Sequence, residues 1–274
     1  MQNNLKISFI GGGNMAVALI GGLAGKLTDA ANIHVVDINT DALQRVQTQF
    51  GVTTALQLND RVGQSDVVVL AVKPQQMKEV AAQLLPHISG QLVLSIAAGI
   101  RAADLSRWLN HHAAIVRTMP NTPALIGQGI TGMVKLAGVS QAQQETADAI
   151  MRAVGATVWL SDESLIDAVT AVSGSGPAYV FYFIEAMQQA AQELGLSAAQ
   201  GNELAIATFV GASQLAAQSS EPVATLRERV TSKGGTTYAA LTSMDASGVK
   251  DAIARAMKAA AERGRQLGEE FGKD

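Results

Sequence analysis

A short apolar stretch near the start of the chain breaks into three consecutive glycines, and this feature most constrains the fold. Residues 7–10 predict a buried strand, and residues 16–26 have the apolar spacing of a helix. Gly11, Gly13 and Ala16 fill the G-x-G-x-x-G/A pattern of dinucleotide-binding folds. Gly11 allows a tight turn out of the strand, Gly13 lets a pyrophosphate approach the backbone, and Ala16 lets the helix pack close to the strand. The N–H groups at the helix N-terminus attract phosphates. The stretch therefore predicts a nucleotide-binding turn.

The composition narrows the class of protein. The 274 residues suffice for one large domain or two ordinary ones, and 48% of them are hydrophobic. A net charge of −3 gives no basic footprint for nucleic acid. No apolar run approaches the roughly 20 residues of a membrane span, and no secretory signal is visible. The four histidines lie in no metal-ligand spacing and cysteine is absent. We expect a cytoplasmic protein with no metal, nucleic-acid or membrane partner.

The first half of the chain alternates apolar runs with helical patterns. Continuous β-branched runs are typical of parallel strands that are buried on both faces. The strands are predicted at 7–10, 33–36, 67–72, 91–96, 114–118, 130–136 and 157–160. Further helices are predicted at 41–50 and 143–154. These elements predict an α/β fold, an N-terminal Rossmann-type, mostly parallel sheet with helices on both faces.

The second half contains no comparable strand pattern. Alanine-rich stretches with helical spacing are predicted to form helices at 179–194, 198–218, 222–230, 238–243 and 249–270. The change of pattern predicts a dinucleotide-binding domain over 1–160 and a C-terminal all-α domain, for substrate binding and dimerisation, over 161–274. Alanine on several faces of these helices favours close packing, also between the subunits of a dimer.

Asp37 follows the second predicted strand, 26 residues after Gly11. This is near the spacing expected of the acid that binds the adenosine ribose. A carboxylate there accepts hydrogen bonds from the ribose hydroxyls and repels a 2′-phosphate, which favours NADH over NADPH. The alternative is that Asp37 is a helix N-cap or an ordinary loop acid.

Two further segments follow strands at their carboxyl ends, where open α/β sheets bind their ligands. The small residues Ala97, Ala98 and Gly99 leave room for a flat ring, so we place the nicotinamide near them. The segment Met119-Pro120-Asn121-Thr122-Pro123 is either a rigid loop or a wall of the active site.

Two glycine-rich motifs interrupt the helices of the second half. They are Ser173-Gly174-Ser175-Gly176-Pro177 and Thr231-Ser232-Lys233-Gly234-Gly235-Thr236-Thr237. Both predict small hydroxyl residues and bare N–H groups at helix N-termini, which suit a carboxylate or phosphate. Helix capping alone is the alternative. The helical half offers no obvious general acid or base, so a substrate that is already activated, such as a protonated imine, fits best.

These motifs, in this order, resemble those of the pyrroline-5-carboxylate reductase family. The resemblance rests on residues 9–16, 71–75, 119–123, 173–179 and 231–237, and it covers essentially the whole chain. It implies hydride transfer from NADPH or NADH to the C=N carbon of 1-pyrroline-5-carboxylate, which gives L-proline. The resemblance suggests NADPH, whereas Asp37 favours NADH. It also implies a homodimer with intertwined C-terminal helices, and dimers of this family assemble further into rings.

The resemblance also implies roles for individual residues. Thr170 is expected near the ring nitrogen of the substrate, as the catalytic contact. The substrate carboxylate is expected on a turn that is reached from the partner subunit, formed by Ser232, Gly234, Gly235, Thr236 and Thr237. The cofactor contacts carried over are Ile10, Gly11, Gly12, Gly13, Asn14, Met15, Asp37, Ala71, Val72, Lys73, Pro74 and Ala97.

Some residues depart from the family pattern. Asp37 stands where NADPH-preferring members often carry Asn or Ser beside Arg, whereas Ile38 follows here. Lys233 stands where many members carry Pro. Arg229 stands where an Asn often lies near the cofactor, and it either compensates a 2′-phosphate or forms a surface ion pair.

Two other functions are compatible with the glycine pattern. A β-hydroxyacid dehydrogenase would need a catalytic lysine in the helical half, where Lys233 is the only candidate beside a motif. A dinucleotide-sensing module without catalysis would keep residues 11–16 but would not need the two hydroxyl-rich motifs.

Overall fold

The computed structural model describes residues 4–273, which form two compact units. The first unit runs to Ser175 and takes up the chain again from Ala260, and the second is Gly176–Ala259. The break falls at Ser175 rather than near residue 160, because the segment after the last strand packs on the sheet. A Cβ atom on Gly132 would lie 2.6 Å from Val169 Cγ1. The functions predicted for the two domains stay predictions.

The first unit contains an eight-stranded sheet in the order β3-β2-β1-β4-β5-β6-β7-β8. The strands are β1 (Ile7–Ile10), β2 (Ile33–Val36), β3 (Thr53–Ala55), β4 (Val67–Leu70), β5 (Leu92–Ser95), β6 (Ile115–Met119), β7 (Gly129–Lys135) and β8 (Gly155–Trp159). All neighbours are parallel except β6 and β7, which are antiparallel. The predicted mostly parallel sheet is confirmed, and the carboxyl ends of β1 to β6 meet at one edge.

Helices cover both faces of this sheet because its central strands are apolar on both sides. In β4, Val67 and Val69 join one buried cluster, whereas Val68 and Leu70 join the other. The helices of this unit are α1 (Asn14–Leu23), α2 (Thr40–Phe50), α3 (Asp60–Gly63), α4 (Met77–Leu84), α5 (Ala102–Trp108), α6 (Gln141–Arg152) and α7 (Leu165–Val169). A π-helical turn, Thr170–Gly174, continues α7.

The second unit is helical, as predicted. Its helices are α8 (Gly176–Glu193), α9 (Ala198–Gln218), α10 (Val223–Arg229), α11 (Thr236–Ala246) and the first part of α12 (Val249–Phe271). Large apolar side chains of α8 and α9 are exposed in the single chain, among them Phe181, Tyr182, Leu204 and Val210. Within residues 4–273, no helix combines the length and the apolar character that crossing a membrane requires.

Candidate active site

The turn after β1 requires a glycine at its first position. Gly11 has a φ of +105°, and a Cβ atom there would lie 2.6 Å from the carbonyl oxygen of Ala71. The Gly11 N–H also donates to Val36 O at 2.8 Å, which holds the turn against β2. Gly11 therefore fills the close approach between three strand ends, where no larger residue fits.

Gly13 serves a different purpose in the same turn. Its φ of −70° is ordinary, and a Cβ atom there would meet nothing within 4 Å. It is the N-cap of α1, which begins at Asn14, two residues before the predicted start. The helix N-terminus therefore faces open space, which fits the approach of a pyrophosphate. Ala16 is fully buried, as its predicted packing position requires.

Asp37 lies at the end of β2 and binds the glycine turn directly. Its Oδ2 accepts a hydrogen bond from the Gly12 N–H at 2.6 Å, and its Oδ1 accepts one from the Asn39 N–H at 2.8 Å. Asn39, rather than Asp37, caps α2 by accepting from the backbone of Asp41 and Ala42. The N-cap interpretation of Asp37 is therefore wrong. Each carboxylate oxygen retains a further acceptor site for a ribose hydroxyl.

A cleft of about 840 Å³ opens at this edge of the sheet. It brings together seven of the predicted cofactor residues, namely Ile10, Gly11, Gly13, Asp37, Ala71, Val72 and Lys73. The sequence interpretation missed ten other lining residues, namely Val36, Ile38, Asn39, Leu56, Gln57, Leu58, Gln76, Val80, Gln83 and His87. The remaining predicted residues are not among its lining: Gly12 in the turn, Asn14 and Met15 in α1, Pro74 at the start of a 3₁₀ turn, and Ala97 after β5.

The missed wall of the cleft follows β3, which the sequence interpretation did not predict. This strand has three half-buried residues, too few to show an apolar run or an alternation. It pairs with β2 and so brings Leu56, Gln57 and Leu58 to the edge where Asp37 lies. A strand recognised there would have indicated these residues.

The segment after β5 is packed from behind by the end of α12. Ala97 is buried, and Gly99 has a φ of +73°. A Cβ atom on Gly99 would lie 3.0 Å from Leu267 Cβ and 3.3 Å from a ring carbon of Phe271. The C-terminal helix thus fixes the turn that is predicted to contact the nicotinamide.

The first glycine motif does not form a free helix N-terminus, contrary to the prediction, because a π-helical turn runs directly into α8. Ser173 and Gly174 belong to the π-helical turn, and the Ser175 N–H donates to Thr170 O at 2.8 Å. Ser175 keeps right-handed helical angles before α8 begins at Gly176. The N–H groups here are drawn into a continuing helix rather than left bare. π-helical turns occur frequently at functional sites.

Thr170 lies at the start of this π-helical turn. Its Oγ1 donates to Ile166 O at 2.8 Å, and Ser173 Oγ likewise donates to Val169 O at 3.0 Å. Because the hydroxyl hydrogen of Thr170 is used within the helix, its oxygen can only accept a hydrogen bond from a ligand. This polarity suits a cationic N–H donor.

The second glycine motif forms the turn before α11, and here the helix N-terminus is as predicted. Gly234 has a φ of +74°, and the Gly235 N–H donates to Ser232 O at 3.0 Å. Gly235 is the N-cap, and among the described residues no side chain caps this helix. Capping therefore does not explain the hydroxyl groups of Ser232, Thr236 and Thr237, and their predicted role in binding an anion stays a prediction.

Arg229 forms an ion pair within the second unit. Its Nη2 donates to Glu221 Oε1 at 2.6 Å, and its side chain is 65% exposed. Of the two roles left open for Arg229, the structure shows the surface ion pair.

Comparison with known proteins assigns both parts of the chain. A family model described as pyrroline-5-carboxylate reductase dimerisation matches residues 163–267, and one described as NADP oxidoreductase, coenzyme F420-dependent, matches residues 6–99.

The similarity to known relatives extends over nearly the full chain. The pyrroline-5-carboxylate reductase of Pseudomonas aeruginosa is 46% identical over 97% of this chain and 98% of its own. The Coxiella burnetii structure of this enzyme superposes with a TM-score of 0.91 at 38% identity, covering 97% of this chain and 99% of that one. The Plasmodium falciparum structure, titled as having NADP bound, gives a TM-score of 0.87 at 28% identity, covering 97% and 99%. The chain therefore belongs to the pyrroline-5-carboxylate reductase family of oxidoreductases.

Proposed function

We propose that this protein reduces 1-pyrroline-5-carboxylate to L-proline, the last step of proline synthesis, with a reduced nicotinamide dinucleotide. The observation that carries the proposal is the turn at residues 231–237. It presents hydroxyl and N–H groups that capping does not use, in a chain of this reductase family. A dinucleotide-sensing module would have no use for such a turn. A hydroxyacid dehydrogenase is disfavoured because Lys233 stands in this anion-binding turn.

The dinucleotide is proposed to bind in the cleft of the first unit. Its pyrophosphate meets the N-terminus of α1 at Gly13, and Asp37 accepts hydrogen bonds from the adenosine ribose. The contacts proposed around it are those carried over from the family, from Ile10 to Met15, from Ala71 to Pro74, and Ala97. When bound, the reduced nicotinamide supplies the hydride.

The substrate is proposed to be held at its two polar ends. Its carboxylate binds the hydroxyl and N–H groups of Ser232, Gly234, Gly235, Thr236 and Thr237, a turn supplied by the partner subunit. The N–H of the protonated ring donates to Thr170 Oγ1, whose own hydrogen is committed to Ile166 O. Because the imine carries its proton before hydride transfer, the residues have to orient the ring rather than supply an acid.

The cofactor is proposed to be NADH in preference to NADPH. Both oxygens of Asp37 already accept backbone hydrogen bonds, which fixes the carboxylate and its negative charge beside the ribose position. A 2′-phosphate would bring a second anion to that place. Arg229 is paired with Glu221, so we do not propose that it compensates the charge of a 2′-phosphate.

The protein is proposed to act as a homodimer with intertwined C-terminal helices. The dimerisation family model covers most of the helical half, and large apolar side chains of α8 and α9 are exposed in the single chain. Assembly of dimers into a ring and a cytoplasmic location stay predictions.

The proposal is tested by following NADH and NADPH oxidation with pyrroline-5-carboxylate, and with a 3-hydroxy acid and NAD as the competing assay. Ser232→Ala and Thr237→Ala should each raise the KM for the imine about tenfold, since each removes a hydrogen bond to a carboxylate. Thr242→Ala, on the same helix as Thr237, is the control, because the Thr242 hydroxyl donates to Tyr238 O within the helix. Unchanged KM values in both variants would refute the anion site, and no imine reduction would refute the function.

A further inference from the structure

Asn121, in the loop after β6, uses both ends of its side-chain amide. Its Oδ1 accepts from the Ile130 N–H in β7 at 2.9 Å, and its Nδ2 donates to the carbonyl oxygen of Ser173 at 3.1 Å. The side chain is largely buried and does not cap the 3₁₀ turn Thr122–Ile126 that it precedes, although Asn is a favoured cap. The amide therefore joins the loop, the sheet and the π-helical turn.

The helix offers no backbone donor to the Ser173 carbonyl oxygen, and the Asn121 amide supplies one. In an α-helix the carbonyl of Ser173 would accept from the N–H four residues later. That residue is Pro177, which has no N–H. Asn121 supplies a donor from outside the helix to this half-buried carbonyl, and a carbonyl shielded from water without a donor is costly.

The π-helical turn also lies against the strand ends at this point. A Cβ atom on Gly174 would lie 2.5 Å from Met119 Cε at the end of β6. A Cβ atom on Gly132 in β7 would lie 2.6 Å from Cγ1 of Val169, the residue before Thr170. The turn is therefore held by packing against Met119 and by the Asn121 hydrogen bond, while the bond from Ser175 N–H to Thr170 O gives it the π-helical spacing.

We propose that Asn121 is a positioning residue that fixes the π-helical turn and thereby the acceptor oxygen of Thr170. This role rests on the proposed function, because Thr170 is the group that would meet the imine N–H. Residues 119–123 then support the wall of the proposed substrate site, and their rigid conformation helps to orient the substrate ring.

The experiment compares Asn121→Asp with the wild-type enzyme. The aspartate keeps an acceptor for the Ile130 N–H but removes the donor to Ser173 O. We expect kcat for the imine to fall about tenfold, as misplacement of a catalytic contact does. The Kd for NADH should stay within about twofold, because Asn121 does not line the cleft proposed for the dinucleotide. Asn110→Asp, an exposed loop position, is the matched control and should leave both quantities unchanged.

A second background tests the reason for the effect. Pro177→Ala restores an N–H four residues after Ser173, so Asn121→Asp should reduce kcat less in that background than in the wild type. Asn121→Ala, analysed in the same way, replaces Asn121→Asp if the aspartate variant does not fold. A variant that binds NADH and retains the wild-type kcat would refute this role, as would equal losses in both backgrounds. Failure of the wild-type enzyme to reduce the imine would instead refute the proposed function.

Discussion

The backbone N–H of Gly12 donates to the Asp37 carboxylate across 2.6 Å, so the glycine turn and the acid after β2 form one hydrogen-bonded unit. The bond is charge-assisted, which makes it stronger than a bond between neutral groups. It also fixes the carboxylate before any ligand arrives. The proposed phosphate position at the N-terminus of α1 and the proposed ribose position at Asp37 are therefore set relative to each other by the protein alone.

Gly11 and Gly13 should respond differently to the same substitution. Gly11→Ala should lower the free energy of unfolding by about 3 kcal/mol, because it adds strain at a positive φ and a contact with a backbone carbonyl. Gly13→Ala should lower it by less than about 1 kcal/mol, yet raise the Kd for NADH at least about tenfold, since its methyl group points into the cleft. Denaturant unfolding and a fluorescence titration measure the two effects. Equal NADH affinity in Gly13→Ala would contradict the phosphate position.

Asp37→Ser should shift the cofactor preference. Loss of the negative charge removes the repulsion of a 2′-phosphate and one acceptor of the ribose, so the ratio of kcat/KM for NADPH to that for NADH should rise about tenfold. Steady-state kinetics with both cofactors measures the ratio. Asp41→Ser in the first turn of α2 removes an exposed charge nearby and should leave it unchanged. The same ratio in both variants would show that Asp37 does not select the cofactor.

Arg117 and Glu163 should contribute strongly to stability. The Arg117 side chain is 5% exposed, and its Nη1 donates to Glu163 Oε1 at 2.7 Å. The same oxygen accepts from the Ala102 N–H at 2.7 Å. Glu163→Gln should lower the free energy of unfolding by about 3 kcal/mol, because it removes the carboxylate charge to which the buried guanidinium donates.

The exposed pair between Lys250 and Asp245, at 3.2 Å, is the control for this measurement. Lys250→Gln should change the free energy of unfolding by less than about 0.5 kcal/mol, because solvent screens the pair. Similar losses in both variants, measured by urea unfolding, would show that burial does not strengthen the Arg117 interaction.

Asp167 should destabilise the protein at neutral pH. Burial raises the pKa of its carboxyl above the ordinary 3.8, although Arg117 and Arg101 oppose this effect. The folded state then binds the proton more tightly than the unfolded state, so stability is lost as pH rises from 3.8 through the folded pKa. Asp167→Asn should raise the Tm at about pH 7 but leave it unchanged at about pH 3.5. Asp29→Asn, at an exposed position, should change neither value.

The local sequence determined the elements that carry their own signal. The run from Ile7 to Ile10, the strand before Asp37 and the long alanine-rich helices were predictable, because apolar period and turn residues act over a few neighbours. The glycine positions followed from the same logic, since a chain that turns sharply out of a strand needs the freedom of Gly11. The resemblance to the reductase family added the predicted roles of Thr170 and of the substrate-binding turn, namely Ser232, Gly234, Gly235, Thr236 and Thr237.

The tertiary structure alone decided which distant residues share the site. The short strand β3 is defined by its pairing with β2, so the cleft wall at Leu56 could not be predicted from the local sequence. The motif at Ser173 was predicted to leave bare N–H groups at a helix N-terminus, but it continues a π-helical turn that packs against Met119 and accepts a hydrogen bond from Asn121. Both depend on contacts between residues far apart in the chain, and a local pattern carries no information about which distant group will supply them.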